Sequence, residues 1–267
     1  MTAVDMPRAG VSVATRTFFM VLWRDIFVTW REIVPFLAQV VIQPFLTLFI
    51  FGKVLADLGY VQGSFAAILL PGVVALNGFF GALQSTTMPL VMDFAWTREI
   101  EDRLLAPIPI PLVAIEKMIF GAIRGVLSAL LMAPVGFLIL DDVTWPASSW
   151  PLVVVVVVLG SLVGSAIGMV LGTLVPPNRI NIMFAIILVP LMFTGSTQFP
   201  WRGLENLEWF QVLCALNPLT YVSEAMRAEL VPQVPHIPLW LNMVVMAGSV
   251  IVFGAIGIKG FMRRALD

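Results

Sequence analysis

The chain has one cysteine, Cys214, and one histidine, His236. A single cysteine excludes an internal disulfide and any multi-cysteine metal site. A single histidine leaves no His/Cys/carboxylate grouping suited to a metal. His236 sits among prolines in VPQVPHIP, where a loop histidine reads as a solvated side chain. A Ser–His–Asp arrangement would need it as base, and nothing around it marks it as one, so hydrolase chemistry is set aside. Charge is scarce too: Asp, Glu, Lys and Arg make up 12% of residues, against about 25% in a soluble domain. A net charge of −1 offers no basic footprint for nucleic acid. A G-x-x-x-x-G-K-[ST] phosphate loop is missing, since Gly52–Lys53 lacks both the first glycine and the hydroxyl residue. No catalytic, cofactor or metal residue is therefore assigned, and the chain is not expected to be an enzyme. The N-terminal residues lack the layout of a signal peptide, because Arg16 and Arg24–Asp25 interrupt their apolar residues.

What is present is apolar. With 60% hydrophobic residues and a mean hydropathy of +0.99, the chain reads as an all-α polytopic membrane protein. Spans are expected at 33–55, 64–92, 112–140, 151–175, 180–194 and 238–258, six in all. Residues 11–32 pattern instead as an amphipathic helix. Phe18, Phe19, Leu22, Ile26, Trp30 and Ile33 gather on one side at helical spacing, with Thr17, Arg24 and Arg31 opposite and Asp25 and Glu32 beside them. Trp23 and Trp30 fall near the edge of the apolar face, where an indole sits at headgroup depth. That helix is expected to lie along the membrane surface.

Polar residues within the spans are few and informative. Gln39 and Gln43 are four apart on the first span, and Asn77 and Gln84 seven apart on the second, so each pair shares a face. Amides in a span face protein or water rather than lipid, which leaves helix packing and a substrate path as alternatives. Glu116, Lys117 and Arg124 open the third span and read as a cluster near the interface, with the basic side chains snorkelling. Asp93 ends the second span, close enough to the interface to read as solvated. On the fourth span Gly160, Gly164, Gly168 and Gly172 recur every fourth residue, a groove for close helix approach within or between subunits. Residues 203–231 hold two apolar pieces too short to cross a bilayer, read as outer re-entrant or interfacial helices. Asn217 fits the N-cap and Pro218 the first position of the second piece.

Lys and Arg counted by side orient the chain. With six spans, twelve of the fifteen basic residues share the side of the termini; only Lys53, Arg202 and Arg227 fall on the other. Both termini are thus expected to be cytoplasmic. On that side lies the densest charge in the chain, WTREIEDRLLAPIPIP at 96–111. Arg98, Glu99, Glu101, Asp102 and Arg103 give a short charged turn, Leu104, Leu105 and Ala106 extend it, and Pro107, Pro109 and Pro111 stop it. A stiff charged helix between spans is a handle for a soluble partner; a solvated loop is the plainer alternative.

Over nearly its whole length the chain resembles the permease subunits of ABC-2 type exporters. The resemblance rests on the amphipathic helix before the first span and on the polar second span leading into TREIEDRLLAPIPIPLVAIEKM. FTGSTQFPWRGLENLEWFQVLCALNPLTYVSEAMRAEL before the last span carries it further. It implies a half-transporter in which two permease subunits, of this chain or a paralogue, pair with two separate ATPase subunits that bind ATP and magnesium. Residues 96–106 would be the coupling helix seated in the ATPase. Residues 11–32 would be the connecting helix, with Phe19, Trp23, Arg24, Trp30 and Arg31 against the same partner. Asn217, Pro218, Tyr221, Glu224 and Arg227 would belong to the outer helices. The implied setting is a bacterial plasma membrane and the implied activity export of a hydrophobic or amphiphilic small molecule. Gln39, Gln43, Asn77, Gln84, Asn181, Met183, Phe184 and Thr194 are the candidate path. Export of a lipid-linked polysaccharide or lipo-oligosaccharide is the alternative within the class. A non-transporting membrane scaffold is the alternative outside it.

Overall fold

The computed structural model describes residues 11–31, 33–60, 64–95, 109–140 and 143–266. Among them it is all-helical, which pairs the backbone groups within each segment where hydrocarbon leaves no water for them. The elements are α1 (Val11–Arg31), α2 (Ile33–Thr47), α3 (Ser64–Ala95), α4 (Ile110–Ile139) and α5 (Trp150–Leu174). α2 runs on through a π-helical stretch, Leu48–Val54, into a last turn, Leu55–Asp57. α6 is composite: Ile180–Met183, a π-helical Phe184–Leu188, then Val189–Thr194. α7 (Glu208–Ala215), α8 (Pro218–Leu230) and α9 (Leu239–Leu266) complete the chain.

Five stretches are long and apolar enough to cross a membrane: Val40–Asp57, Phe65–Phe94, Ile110–Ile139, Ala147–Leu174 and Leu239–Leu266. They match five of the six expected spans, with ends displaced by up to eight residues. The remaining one, expected at 180–194, is a shorter apolar piece, Phe184–Thr194. Even all of α6, at about 1.5 Å per residue, reaches only about 22 Å, less than the ~30 Å hydrocarbon core.

The bundle is built on α3. α4 and α5 pack along it, α9 packs on α5, and α8 fits against α3, α5 and α9. Leu69, Leu70, Val73, Phe79, Leu83 and Leu90 of α3 are fully buried, with Val156, Val163 and Met169 of α5. The glycine groove on α5 is what allows this. A side chain at Gly164 would strike the Phe79 carbonyl of α3, and a Cβ at Gly168 would stand 2.5 Å from the Leu83 carbonyl oxygen. The groove therefore serves packing inside the subunit. Hydroxyls lock the same contact. Ser165 Oγ donates to the Met118 carbonyl of α4 at 2.7 Å and lies 2.8 Å from Thr86 Oγ1 of α3. Thr87 Oγ1 lies 2.8 Å from the Leu83 carbonyl oxygen of its own helix and 3.1 Å from the Gly168 carbonyl oxygen of α5. Between apolar helices in lipid, close van der Waals approach and such hydrogen bonds supply the cohesion.

α8 begins as its sequence requires. Asn217 Oδ1 accepts the Leu219 N–H at 2.9 Å, and Pro218 takes the first helical position. The Asn217 amide also donates to the Leu191 carbonyl at 2.7 Å and to Thr194 Oγ1 at 2.9 Å, so the cap fastens α8 to the end of α6.

A valine at Gly164 should force α5 off α3 and cost at least the ~1–3 kcal/mol of overpacking. Gly248 on α9 has nothing within 4 Å of the position its Cβ would take. Thermal unfolding of the detergent-solubilised protein should show a clear loss for Gly164→Val and little change for Gly248→Val.

Candidate functional site

Two polar features stand out in the bundle, a cluster of buried charge at one end and a cavity further along. The cluster joins three elements. Asp93 lies two residues before the end of α3 and Lys117 in the second turn of α4, so the antiparallel helices bring them to the same level. Lys117 Nζ is 3.1 Å from Asp93 Oδ2 and 3.6 Å from Asp25 Oδ2 of α1. Arg24 Nε and one terminal nitrogen each donate to Asp25 Oδ1 at 3.1 Å. Lys117, Asp25 and Asp93 are all buried, and Glu116 is buried beside them. One ammonium thus holds two carboxylates out of water, with the half-exposed Arg24 balancing the second. A buried ion pair of this kind adds little over an apolar contact, but removing one partner strands the other.

The cluster changes two readings of the sequence. Asp93 is paired and buried rather than solvated. Lys117 does not snorkel with Arg124, which stands two turns deeper in α4. The outward face of α1 follows from the same geometry. With Asp25 turned into the bundle, Phe19, Met20, Trp23 and Phe27 form an exposed apolar stripe, and Arg24 and Arg31 are exposed beside it.

The cavity lies between α2, α3, α4 and α6 and has a volume of about 250 Å³. Gln43, Asn77 and Gln84, three of the expected path residues, line it together with Phe36, Phe80 and Arg124. Arg124 Cζ stands 4.6 Å from the centroid of the Phe36 ring, a cation–π contact. Asn77 Nδ2 donates to the Ser128 carbonyl of α4 at 2.9 Å, so this amide serves packing as well as lining. Gln43 Nε2 meets Met192 Sδ at 3.4 Å, which sets α2 beside α6. Met88, Met92 and Gln43 are exposed, so the cavity opens to the surface of the bundle along them.

Met183, Phe184 and Thr194 are not among the residues that line it. Met183 is buried in the core, Phe184 packs against that core, and Thr194 is engaged by the Asn217 amide. The side chains of Gln39, Asn181 and Trp30, and the whole charged segment 96–106, lie outside the described residues. Phe80, Met88 and Met192 were missed by sequence reasoning, and Arg124 was read near the interface rather than on the cavity. Arg124 had a usable signal, since an ionisable residue well inside an apolar run is a functional candidate wherever the span begins.

A third polar group closes the other end. Glu224 and Arg227 of α8 are fully buried and 2.7 Å apart. Glu224 accepts the Trp201 N–H at 3.0 Å and the Ile237 N–H at 3.1 Å, while Arg227 donates to the Ser196 carbonyl. Tyr221 Oη donates to the Ala215 carbonyl at 2.8 Å. These side chains are spent on holding the irregular segment 195–237 together.

A membrane bundle led by an amphipathic helix, with a polar second long helix and an N-P-capped helix before the last, is an architecture to compare with known proteins. The family model described as ABC-2 type transporter matches residues 16–231, and the chain belongs to that family. It is 27% identical over 210 residues to the putative transport permease ycf38 of Porphyra purpurea, covering 74% of this chain and 68% of that protein. To the putative transport permease ycf38 of Cyanophora paradoxa it is 26% identical over 232 residues, 81% of this chain and 76% of the other. To the inner membrane transport permease YadH of Escherichia coli (strain K12) it is 24% identical over 196 residues, 71% and 74% of the two chains.

Replacing Lys117 by methionine keeps the volume and leaves Asp25 and Asp93 without their shared cation. The loss should be about 3–5 kcal/mol. Asp25→Asn keeps the Asp93–Lys117 pair and should cost less than Lys117→Met. Thermal unfolding of the solubilised variants checks the order.

Proposed function

We propose that this chain is the membrane subunit of an ATP-driven exporter that moves a hydrophobic or amphiphilic small molecule out across a bacterial plasma membrane. The observation that carries the reading is the Asp25–Lys117–Asp93 cluster, which fastens an amphipathic helix to the bases of α3 and α4 in a member of a transporter family. A bundle with its surface helix tied to its spans is built to receive a push from outside the membrane. Since the chain lacks a phosphate loop, the push comes from a partner, two ATPase subunits whose closure on ATP would shift the spans between packings. Residues 96–106 would be the coupling helix, with Arg98, Glu99, Glu101, Asp102 and Arg103 fixing its orientation in the ATPase and Leu104 and Leu105 anchoring it. Basic residues crowd the same side, which supports a cytoplasmic position for both termini.

α6 would supply the sixth crossing, short because it runs beside protein rather than through open lipid. The exposed Ile42, Phe45 and Phe49 of α2 and Ile186 and Phe193 of α6 then fit a second permease subunit. A cavity of about 250 Å³ lined by amides, methionines and phenylalanines suits a compact amphiphile better than a glycan chain.

The test is reconstitution with the partner ATPase in liposomes, comparing wild type with a Glu101→Lys, Asp102→Lys double variant. ATP hydrolysis stimulated by an amphiphile, and lost on charge reversal, supports the reading. A complex that assembles and hydrolyses ATP regardless of the reversal removes the coupling role. A chain that binds no ATPase at all turns the reading towards a scaffold.

A further inference from the structure

Prolines stand inside the helices on two walls of the cavity. Pro44 lies within α2 and Pro89 within α3, and both line the space between α2, α3, α4 and α6. A proline has no N–H, so each removes the bond that the carbonyl four residues earlier accepts in a helix. The carbonyls left without that donor belong to Val40 and Ser85, which line the same cavity. Residues four apart share a helix face, so each oxygen lies beside its proline ring on the cavity side. A backbone oxygen freed within a membrane is tolerated where it lines a cavity that supplies another donor. Two side-chain amides add to these oxygens. Asn77 Nδ2 donates to the Ser128 carbonyl at 2.9 Å, and Gln43 Nε2 meets Met192 Sδ at 3.4 Å. Each amide thus commits a donor to the protein and keeps its own oxygen as an acceptor.

From this we infer that the cavity binds the uncharged, hydroxyl-bearing head of an amphiphile, a group of glycerol size whose hydroxyls donate to the Val40 and Ser85 carbonyls. The inference rests on the export reading for the ligand's role as cargo, and deepens it by naming the chemistry of the head. A hydroxyl suits this wall better than an ammonium does. Ser85 Oγ, which lines the cavity too, can donate to a ligand hydroxyl oxygen in return, whereas an ammonium has no acceptor to offer. An ammonium also loses far more free energy than a hydroxyl on leaving water. A volume of about 250 Å³ is below the roughly 300–1,000 Å³ of a whole drug-sized site. It therefore holds a head and the first methylenes rather than a complete lipid. The rest of the molecule leaves along the exposed Met88 and Met92, where flexible thioethers accept chains of varied shape.

The experiment measures binding to the full chain in nanodiscs of zwitterionic lipid, without the ATPase, so that its outcome does not depend on transport. Three probes share one alkyl chain: an alkyl glycerol ether with two free hydroxyls, its dimethyl ether, which only accepts, and the alkylamine. The diol should bind at least about tenfold more tightly than the dimethyl ether, the weight of two neutral hydrogen bonds. A Pro44→Ala, Pro89→Ala double variant restores both helical N–H groups, occupies the two carbonyls and should bring the ratio close to one. It should leave the affinity for the dimethyl ether unchanged, which shows that the cavity persists. If the double variant loses both probes, Gln43→Leu decides, since it removes an acceptor without altering the backbone and should lower the ratio. Pro71, also inside α3, does not line the cavity, so Pro71→Ala should keep the preference. Equal affinity of wild type for diol and dimethyl ether would mean that water alone serves the freed oxygens, and would overturn the inference. So would a preference that survives the double proline variant, or an alkylamine that binds more tightly than the diol. If the preference for the diol holds but ATP hydrolysis in the full complex ignores every amphiphile, export falls and the headgroup site remains.

Discussion

One ammonium group shared by two buried carboxylates is the interaction on which the rest of this molecule turns. Lys117 sits 3.1 Å from Asp93 and 3.6 Å from Asp25, and the three residues come from α4, α3 and α1. Without the cluster, α1 would be held to the bundle chiefly by its own apolar side chains, and those it exposes, such as Phe19, Trp23 and Phe27, point elsewhere. Charge buried in this way is a weak source of stability but a strict one of geometry, because parting Lys117 from Asp93 strands a buried ion and drawing α1 away takes from Asp25 the ammonium that holds it inside the bundle. The surface helix and the bases of two spans therefore move together or at considerable cost.

Above that base the bundle is stiff for a different reason. Gly164 and Gly168 let the backbones of α5 and α3 approach until carbonyl oxygens fill the space that side chains would take. Ser165 and Thr87 then bridge α5 to its neighbours. This contact leaves no room for sliding, and packing is looser at α2 and α6. Each contains a π-helical stretch, Leu48–Val54 and Phe184–Leu188, and each exposes several large apolar side chains. The cavity lies between these two and the closely packed pair α3 and α4. Short π segments recur at functional sites in helices.

Much of the architecture was legible in the residues. Long apolar runs located five crossing helices, and the Asn217–Pro218 step announced the start of α8 by local chemistry that needs no tertiary information. The glycine repeat on α5 announced a close contact, but not with what, because the partner is a stretch of α3 backbone that carries no distinctive side chain. Lys117 and Asp93 were visible as charges and not as a pair, since the segment between them separates the two helices in sequence. Asp25 looked like part of a solvated face until α1 was seen to turn it inward. Of the path residues, Gln43, Asn77 and Gln84 line one cavity, whereas Met183, Phe184 and Thr194 do not. The π-helical turn in α6 explains part of that, because it rotates the residues beyond it relative to an uninterrupted helix, and Met192 takes the place on the cavity wall. Arg124 was misjudged in depth: it stands two turns past Lys117, near the middle of a 30-residue helix rather than in its first turns.

The measurement that bears most directly on the coupling of α1 to the spans is a distance between them in the assembled complex, with and without ATP. Cysteines for spin labels at the exposed Met20 of α1 and Leu127 of α4, in a Cys214→Ala background, report it without touching the cluster. With Lys117 present, the distance distribution should be narrow and the same in both nucleotide states, while Lys117→Met should broaden it. A wild-type distance that changes on ATP binding with the cluster intact would show that α1 moves apart from the spans, and the charge cluster would then be a local contact rather than the link that carries motion into the membrane.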